Sequence, residues 1–253
     1  MLPFLDLTSE FPDVRSALIE PNGLLAAGAD LSTTRLVNAY SKGIFPWFSD
    51  DEPILWWSPN PRMVFQIQNF QPSRSLVRFV NKARLKVTLN HAFESVINAC
   101  AAPRKDQSGT WITDDIKKAY CELHRIGYAH SVEVWENNEL VGGIYGIAIG
   151  KLFCGESMFS HIANSSKVAL STLIGYLRLN GFPILDCQVK NNHLISLGAV
   201  EIARDQYIDQ LESLISLPTK PDIWRPKDLD LRRFVVRSSN ISTNTTSSCS
   251  HGI

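Results

Sequence analysis

The chain has 253 residues, 44% hydrophobic and 20% charged, with 25 Lys plus Arg against 25 Asp plus Glu and so a formal net charge of zero. That composition describes an ordinary soluble globular protein of one large domain or two small ones. The neutral balance excludes a globally basic nucleic-acid binder, so any RNA contact must come from a local patch. The five cysteines, Cys100, Cys121, Cys154, Cys187 and Cys249, form no C-x-x-C pair. Such spacing speaks against a disulfide framework or a zinc knuckle and suits a reducing cytosol. The start, Met1 to Glu10, has no basic region ahead of an apolar run, and no apolar stretch approaches the ~18–20 residues of a membrane span. A cytoplasmic protein without a signal peptide is the expectation.

Residues 1–60 are rich in Pro, Gly and aromatic residues. Pro21-Asn22-Gly23 signals a turn, and Asp30-Leu31-Ser32 caps a short helix ending near Asn38 or Tyr40. Trp47, Trp56 and Trp57 lie within eleven residues. They read either as a small aromatic core under proline-rich loops or as rings lining a ligand pocket. Next, the i, i+4, i+8 spacing puts Arg74, Arg78 and Lys82 on one helical face, with Leu76, Val77, Phe79 and Val80 on the buried side. This stripe carries no acid up to Lys86. It is either a solvated face or a grip on phosphates.

Leu85–Thr88 is a predicted strand and Phe93–Ala101 a predicted helix. Thr113 caps an amphipathic helix running to Ile126, with Asp114 and Asp115 in its first turn and Gly127 ending it. Three strands follow as an antiparallel meander: His130–Glu136, Leu140–Ile149 and Lys151–Met158, turned at Asn137-Asn138 and Gly150. A polar loop, Ser160 to Ser166, leads into a helix from Lys167 to Leu179, closed by Gly181 with Pro183 beyond. Ile184–Val189 reads as a buried strand and Asp205–Ile215 as a final helix. The tail from Ser238 to Ile253 is Ser/Thr/Asn-rich and reads as disordered. Helix, three-strand meander, helix, strand is the layout of a GNAT-type acyltransferase core, an analogy that does not fix the acyl donor.

Alternation on the strand at 184–189 puts Asp186 and Gln188 on one face and Cys187 on the other. An acid and an amide on a buried strand need partners, so the pair either forms a functional face or stitches loops together. By the same alternation Cys154, Glu156 and Met158 share a face, and Glu156 is the one carboxylate in an otherwise apolar strand. That position favours a functional reading. The loop after this strand has no glycine, unlike the pyrophosphate-holding loop of an acetyl-CoA enzyme. Cys154 and Cys187 lie on core strands, where structural cysteine is the commoner state. His161 or His193 could activate one of them, but nothing in the spacing demands it. His124 and His130 straddle a helix end without a ligand cluster, so no metal is expected.

Several segments, taken in order, carry a resemblance. They are Glu20-Pro21-Asn22-Gly23-Leu24-Leu25-Ala26, Gly43-Ile44-Phe45-Pro46-Trp47-Phe48 and Leu55-Trp56-Trp57-Ser58-Pro59. Gly109-Thr110-Trp111-Ile112-Thr113 and Leu140-Val141-Gly142-Gly143 follow, then Leu152-Phe153-Cys154-Gly155-Glu156-Ser157-Met158-Phe159-Ser160. Asp186-Cys187-Gln188, Asn192-His193 and Ser196-Leu197-Gly198-Ala199 complete the set. Over about residues 20–226 the chain resembles the leucyl/phenylalanyl-tRNA–protein transferase family. The resemblance implies an α+β fold: a small N-terminal domain (1–62), then a GNAT-like acyltransferase domain with a mixed, mostly antiparallel sheet (63–237), then the tail 238–253. It implies transfer of Leu, Phe or less efficiently Met from aminoacyl-tRNA to proteins beginning with Arg or Lys, marking them for N-end-rule degradation. It implies no cofactor, no membrane partner and a monomer.

The resemblance also implies roles. Gln188 contacts the acceptor amine, Asp186 orients or polarises that contact, and Glu156 helps hold the basic acceptor or the ester end. Alternatively, Asp186 and Gln188 only position the amine while the terminal ribose of the tRNA shuttles the proton. Trp47, Trp111, Ile144, Phe153, Met158, Leu170, Leu173 and Leu177 surround the aminoacyl side chain. Positions 144, 173 and 177 are often Met or Phe in the family, so Ile, Leu and Leu here reshape the pocket. Arg74, Arg78 and Lys82 match the family's tRNA-binding surface. Two rivals remain at this stage: an acyl-CoA-dependent N-acyltransferase of the same fold, and a non-catalytic RNA-binding protein built on an inactive acyltransferase.

Overall fold

The computed structural model describes residues 2–103, 111–220 and 222–237. The tail from Ser238 and the Gly109-Thr110 pair lie outside the described residues. In chain order the elements are β1 (Phe4–Leu5), β2 (Leu24–Gly28), α1 (Thr33–Ser41), β3 (Phe45–Pro46), β4 (Leu55–Trp57), β5 (Arg62–Gln66), α2 (Arg74–Lys82) and β6 (Leu85–Leu89). Then come α3 (Phe93–Ala101), α4 (Asp114–Arg125), β7 (Ala129–Glu136), β8 (Glu139–Ile149), β9 (Leu152–Ser160), α5 (Ser165–Leu179) and β10 (Ile184–Gln188). The last are α6 (Asn192–Ser196), β11 (Val200–Ile202), α7 (Arg204–Ile215), β12 (Lys227–Leu229) and α8 (Leu231–Phe234).

Local chemistry sets the helix starts. The Oγ atoms of Ser32, Ser73 and Thr113 accept from the backbone N–H of Arg35, Leu76 and Ile116, filling orphan donors of α1, α2 and α4. Asp114 and Asp115 sit at the positive end of the α4 dipole, His124 and Arg125 at its negative end. Helix α5 starts at Ser165, two residues ahead of the predicted Lys167.

The strands form two mixed sheets. The smaller has the order β1-β2-β4-β3 and the larger β11-β5-β10-β9-β8-β7-β6-β12. In the larger sheet every neighbouring pair is antiparallel except β9–β10. The β7-β8-β9 meander stands at its centre. Side chains alternate between two cores: Val64, Tyr145, Leu152, Cys154 and Ile184 face one, with α1, α3, α4 and α7. Met63, Phe65, Ile144, Phe153 and Leu185 face the other, with α2, α5 and α8. The first core also takes Leu5, Leu25, Leu36, Phe45 and Trp56, so the small sheet and the large one share it.

One alternation fails. Tyr145 opposes Ser157 and Gly146 opposes Gly155, so Glu156 is an extra residue bulged out of β9. Cys154 therefore faces the first core and Met158 packs on the second. The expectation that Cys154, Glu156 and Met158 share one face is corrected: an inserted residue reverses the parity of everything beyond it.

Candidate active site

The parallel ladder of β9 and β10 pairs Leu152 with Ile184, Phe153 with Leu185 and Cys154 with Asp186, and there it stops. Beyond it β9 bulges at Glu156, while β10 bulges between Asp186 and Gln188 against β5. Gln188 takes φ +65°, a left-handed conformation that is uncommon for a residue other than glycine. The two strands part, and the Gln188 amide bridges them by donating Nε2–H to Glu156 Oε1 at 2.7 Å.

Asp186 holds the turned backbone. Its Oδ1 accepts from Gln188 N at 2.9 Å and from Arg62 Nε at 2.9 Å. Its Oδ2 accepts from Arg62 Nη2 at 2.7 Å and from the Tyr207 hydroxyl at 2.9 Å. Arg62 Nη1 in turn donates to Gly43 O at 3.1 Å, and its guanidinium lies between the Phe45 and Tyr207 rings. Arg62 is 1% exposed and Asp186 0%. Burial works against the Arg62 charge, but Asp186 and then Tyr207 outweigh it and hold its pKa above the ordinary value. This carboxylate is saturated and sealed, the arrangement of an orienting group and not of a free base.

Glu156 differs. It keeps a partly exposed edge, yet its carboxyl is enclosed by three donors. Tyr40 donates to Oε1 at 2.8 Å and Tyr120 to Oε2 at 3.3 Å, beside the Gln188 contact, and the two tyrosine hydroxyls meet at 2.5 Å. Burial pushes the Glu156 carboxyl up to about 8; the Tyr40 hydrogen bond opposes the shift and the Asp186 charge adds to it. Burial, then the Glu156 charge, push both tyrosines well above their ordinary range, so they remain donors.

Arg62, Tyr40, Tyr120 and Tyr207 were not singled out by the sequence. One signal was available: a tyrosine on the buried face of an amphipathic helix needs a partner for its hydroxyl. Arg62 gave none, because its partner stands 124 residues away.

The other predicted residues fall into groups. Ile144, Phe153, Met158, Leu170, Leu173 and Leu177 gather in the second core against α5, with Leu177 at 0% and Leu173 at 1% exposure. Trp111 packs on the first core, across the sheet. Trp47, 44% exposed, lies 5.6 Å from the Trp57 ring. The eight therefore divide across the sheet. Arg74, Arg78 and Lys82 stand exposed on α2, as their spacing predicts. Burial, then the Asp186 charge, push the Cys154 and Cys187 thiols well above their ordinary value, the reverse of an activated thiolate. Among the described residues, no group of three or more His, Cys, Asp or Glu is placed to hold a metal ion, and no helix is long and apolar enough to cross a membrane.

Comparison with known proteins identifies the family. The profile described as leucyl/phenylalanyl-tRNA protein transferase matches residues 64–212, and that of the family's N-terminal domain matches 29–60. A protein of Pseudoalteromonas atlantica named leucyl/phenylalanyl-tRNA–protein transferase is 51% identical over 225 residues, covering 89% of this chain and 96% of the relative. Proteins of the same name from Shewanella pealeana and Enterobacter sp. strain 638 are 53% and 54% identical, covering 87% of this chain and 94% and 93% of their own length. The solved structure of FemX covers 70% of both chains at 13% identity, with a TM-score of 0.42, too remote to bear on function. Matched by the family profile over more than half its length, the chain belongs to the leucyl/phenylalanyl-tRNA protein transferase family.

Proposed function

We propose that this protein transfers Leu or Phe, and Met less efficiently, from aminoacyl-tRNA to the N-terminal α-amine of proteins beginning with Arg or Lys. The product is marked for N-end-rule degradation. The observation that carries the reading is the Glu156–Gln188 bridge across the parted β9 and β10, with the Arg62–Asp186 pair behind it. Family membership supports an aminoacyl-tRNA donor and a protein acceptor; the preference for N-terminal Arg or Lys and the use of Met belong to the proposal. The acyl-CoA alternative rests on no observation of this chain.

The aminoacyl ester is already activated. The amine nitrogen forms the new C–N bond, the ester C–O bond breaks, and the proton leaving the amine ends on the ribose hydroxyl. An acceptor α-amine has a pKa of ~7.7–8.0, so it arrives partly as ammonium. Glu156, raised to about 8, exchanges a proton with such an amine at little cost. With Gln188 Nε2 committed to Glu156, its amide oxygen is the acceptor that can orient the amine N–H. Asp186 works one step back, fixing the backbone of Gln188. We propose that the donor side chain meets Ile144, Phe153, Met158, Leu170, Leu173 and Leu177 on the second-core side and Trp47 and Trp111 on the other side of the sheet, and that the tRNA body meets Arg74, Arg78 and Lys82. We infer a GNAT-like domain at 63–237 behind a small domain at 1–62, in a cytoplasmic monomer without cofactor.

The test is a transfer assay with tRNA charged with labelled Leu or Phe and a model protein beginning with Arg. Ribonuclease-resistant label in the protein, absent when the acceptor begins with Ala, is the expected result. No label from either donor sinks the reading. Tyr40→Phe gives a finer check. It removes the donor that most favours ionised Glu156, so the pH–rate inflection moves above its parental position. An unmoved inflection would take Glu156 out of the rate profile.

A further inference from the structure

Helix α2 faces more than solvent. A groove of about 600 Å³ is lined by Arg74, Val77, Arg78 and Asn81 on one side and Val235, Val236 and Arg237 on the other. The second side belongs to the end of the described chain, beyond the matched family profile at 64–212. Just before it, α8 places Arg232 and Arg233 in solvent while Leu231 and Val235 sit 8% and 2% exposed in the second core.

This terminal turn is docked, not trailing. Asp230 caps it by accepting from Arg232 N at 3.1 Å. Phe234 packs 5.8 Å from the Tyr176 ring of α5. Gly175 makes the approach possible: a Cβ there would lie 2.6 Å from Phe234 O and 2.9 Å from its Cβ. A glycine inside a helix is otherwise unfavourable relative to alanine.

The charges on both banks are free of acids. Among the described residues none of Arg74, Arg78, Lys82, Arg232, Arg233 and Arg237 makes an ion pair. The acids nearest α8 in sequence are engaged elsewhere: Asp222 with Arg225, Asp228 with Lys86, and Asp230 with the cap. On α2 the three cations span roughly 12 Å of helix. A groove lined by three valines and by Arg74, Arg78 and Arg237, with Lys82, Arg232 and Arg233 exposed on the helices beside it and outside any ion pair among the described residues, suits a polyanion whose charge runs along a backbone.

We propose that Arg232, Arg233 and Arg237 form a second phosphate-gripping bank, holding the same tRNA backbone as Arg74, Arg78 and Lys82. The proposal rests on the aminoacyl-tRNA reading above and adds the C-terminal turn to its binding surface. Because the α8 backbone is pinned through Gly175, Arg232 and Arg233 meet the RNA on a segment already placed, and binding orders only their side chains.

The experiment measures binding of uncharged tRNA to the full chain across a salt series. The parent is compared with the triple variant Arg232→Ala/Arg233→Ala/Arg237→Ala and with the α2 triple Arg74→Ala/Arg78→Ala/Lys82→Ala. Each phosphate deprived of its protein cation flattens the log–log salt slope by about 0.7–0.9. The C-terminal triple is expected to flatten it by about 2, and the matching Arg→Lys triple to restore the parental slope. Gly175→Ala keeps every charge but pushes α8 away, and is expected to weaken binding too. An unchanged slope in the C-terminal triple, with the α2 triple flattened, overturns the second bank and leaves the tRNA reading intact. A parent chain that does not bind tRNA overturns both.

Discussion

Asp186→Ala is expected to melt on the order of 10 °C below the parent and to lose transfer. The substitution strands Arg62, 1% exposed, without its counter-charge, and removes the acceptor of the Tyr207 hydroxyl and of Gln188 N. Breaking a buried ion pair by deleting one partner costs ~3–5 kcal/mol. In a chain of this size each kcal/mol lowers the melting temperature by about 2–4 °C. Calorimetry checks the first part, and the charged-tRNA assay the second. The double variant Arg62→Met/Asp186→Leu separates the two effects. Replacing both partners with apolar groups removes the stranded charge and recovers the part of the stability lost to it. It leaves Gln188 N without an acceptor, so transfer stays lost. An Asp186→Ala protein that melts like the parent, or a double variant with restored transfer, would show that Asp186 does not position Gln188.

Glu156→Gln is expected to lower transfer by roughly 10²–10⁴, the range for a positioned proton acceptor. The variant keeps the size of the side chain and an oxygen for Tyr40, but it cannot accept a proton. Stability responds in the opposite sense. The folded carboxyl titrates at about 8 against an ordinary 4.5, so the folded chain keeps a proton that the unfolded chain has released. Its contribution to stability is fully present below about 4.5 and is lost as the pH rises through about 8. Glu156→Gln removes that decline, so the gap between parent and variant changes in the variant's favour as the pH rises. Denaturant unfolding on either side of the window reads it. A constant gap would mean that Glu156 does not carry a raised pKa.

Much of the frame was legible because local signals agreed. Thr113 with Asp114 and Asp115 marks the start of α4, the Arg74–Lys82 spacing marks α2, and the turns at Asn137-Asn138 and Gly150 mark the meander. The N-terminal strands were not legible. Phe45–Pro46 and Leu55–Trp57 are too short to show alternation, and the four-stranded sheet they join is closed by partners far away in sequence. At the site, Asp186, Gln188 and Glu156 stood out as polar residues on buried strands, while their partners did not. The β9 bulge was invisible for a related reason: alternation assumes a regular ladder, and only the pairing of Tyr145 with Ser157 and Gly146 with Gly155 reveals the added residue.

The sharing of one core by both sheets sets a limit on engineering. Tyr40 comes from α1 and Gly43 O from the turn after it, and they reach groups that β9 and β5 carry. A truncated protein starting at residue 63 would expose the inner faces of β5 and β10 and strip Asp186 of its guanidinium and Glu156 of a hydroxyl donor. The part of the chain from residue 63 onward therefore cannot be lifted out as a portable module. Fusions and circular permutants should keep residues 1–62 in place and be opened at exposed turns such as Asn137-Asn138.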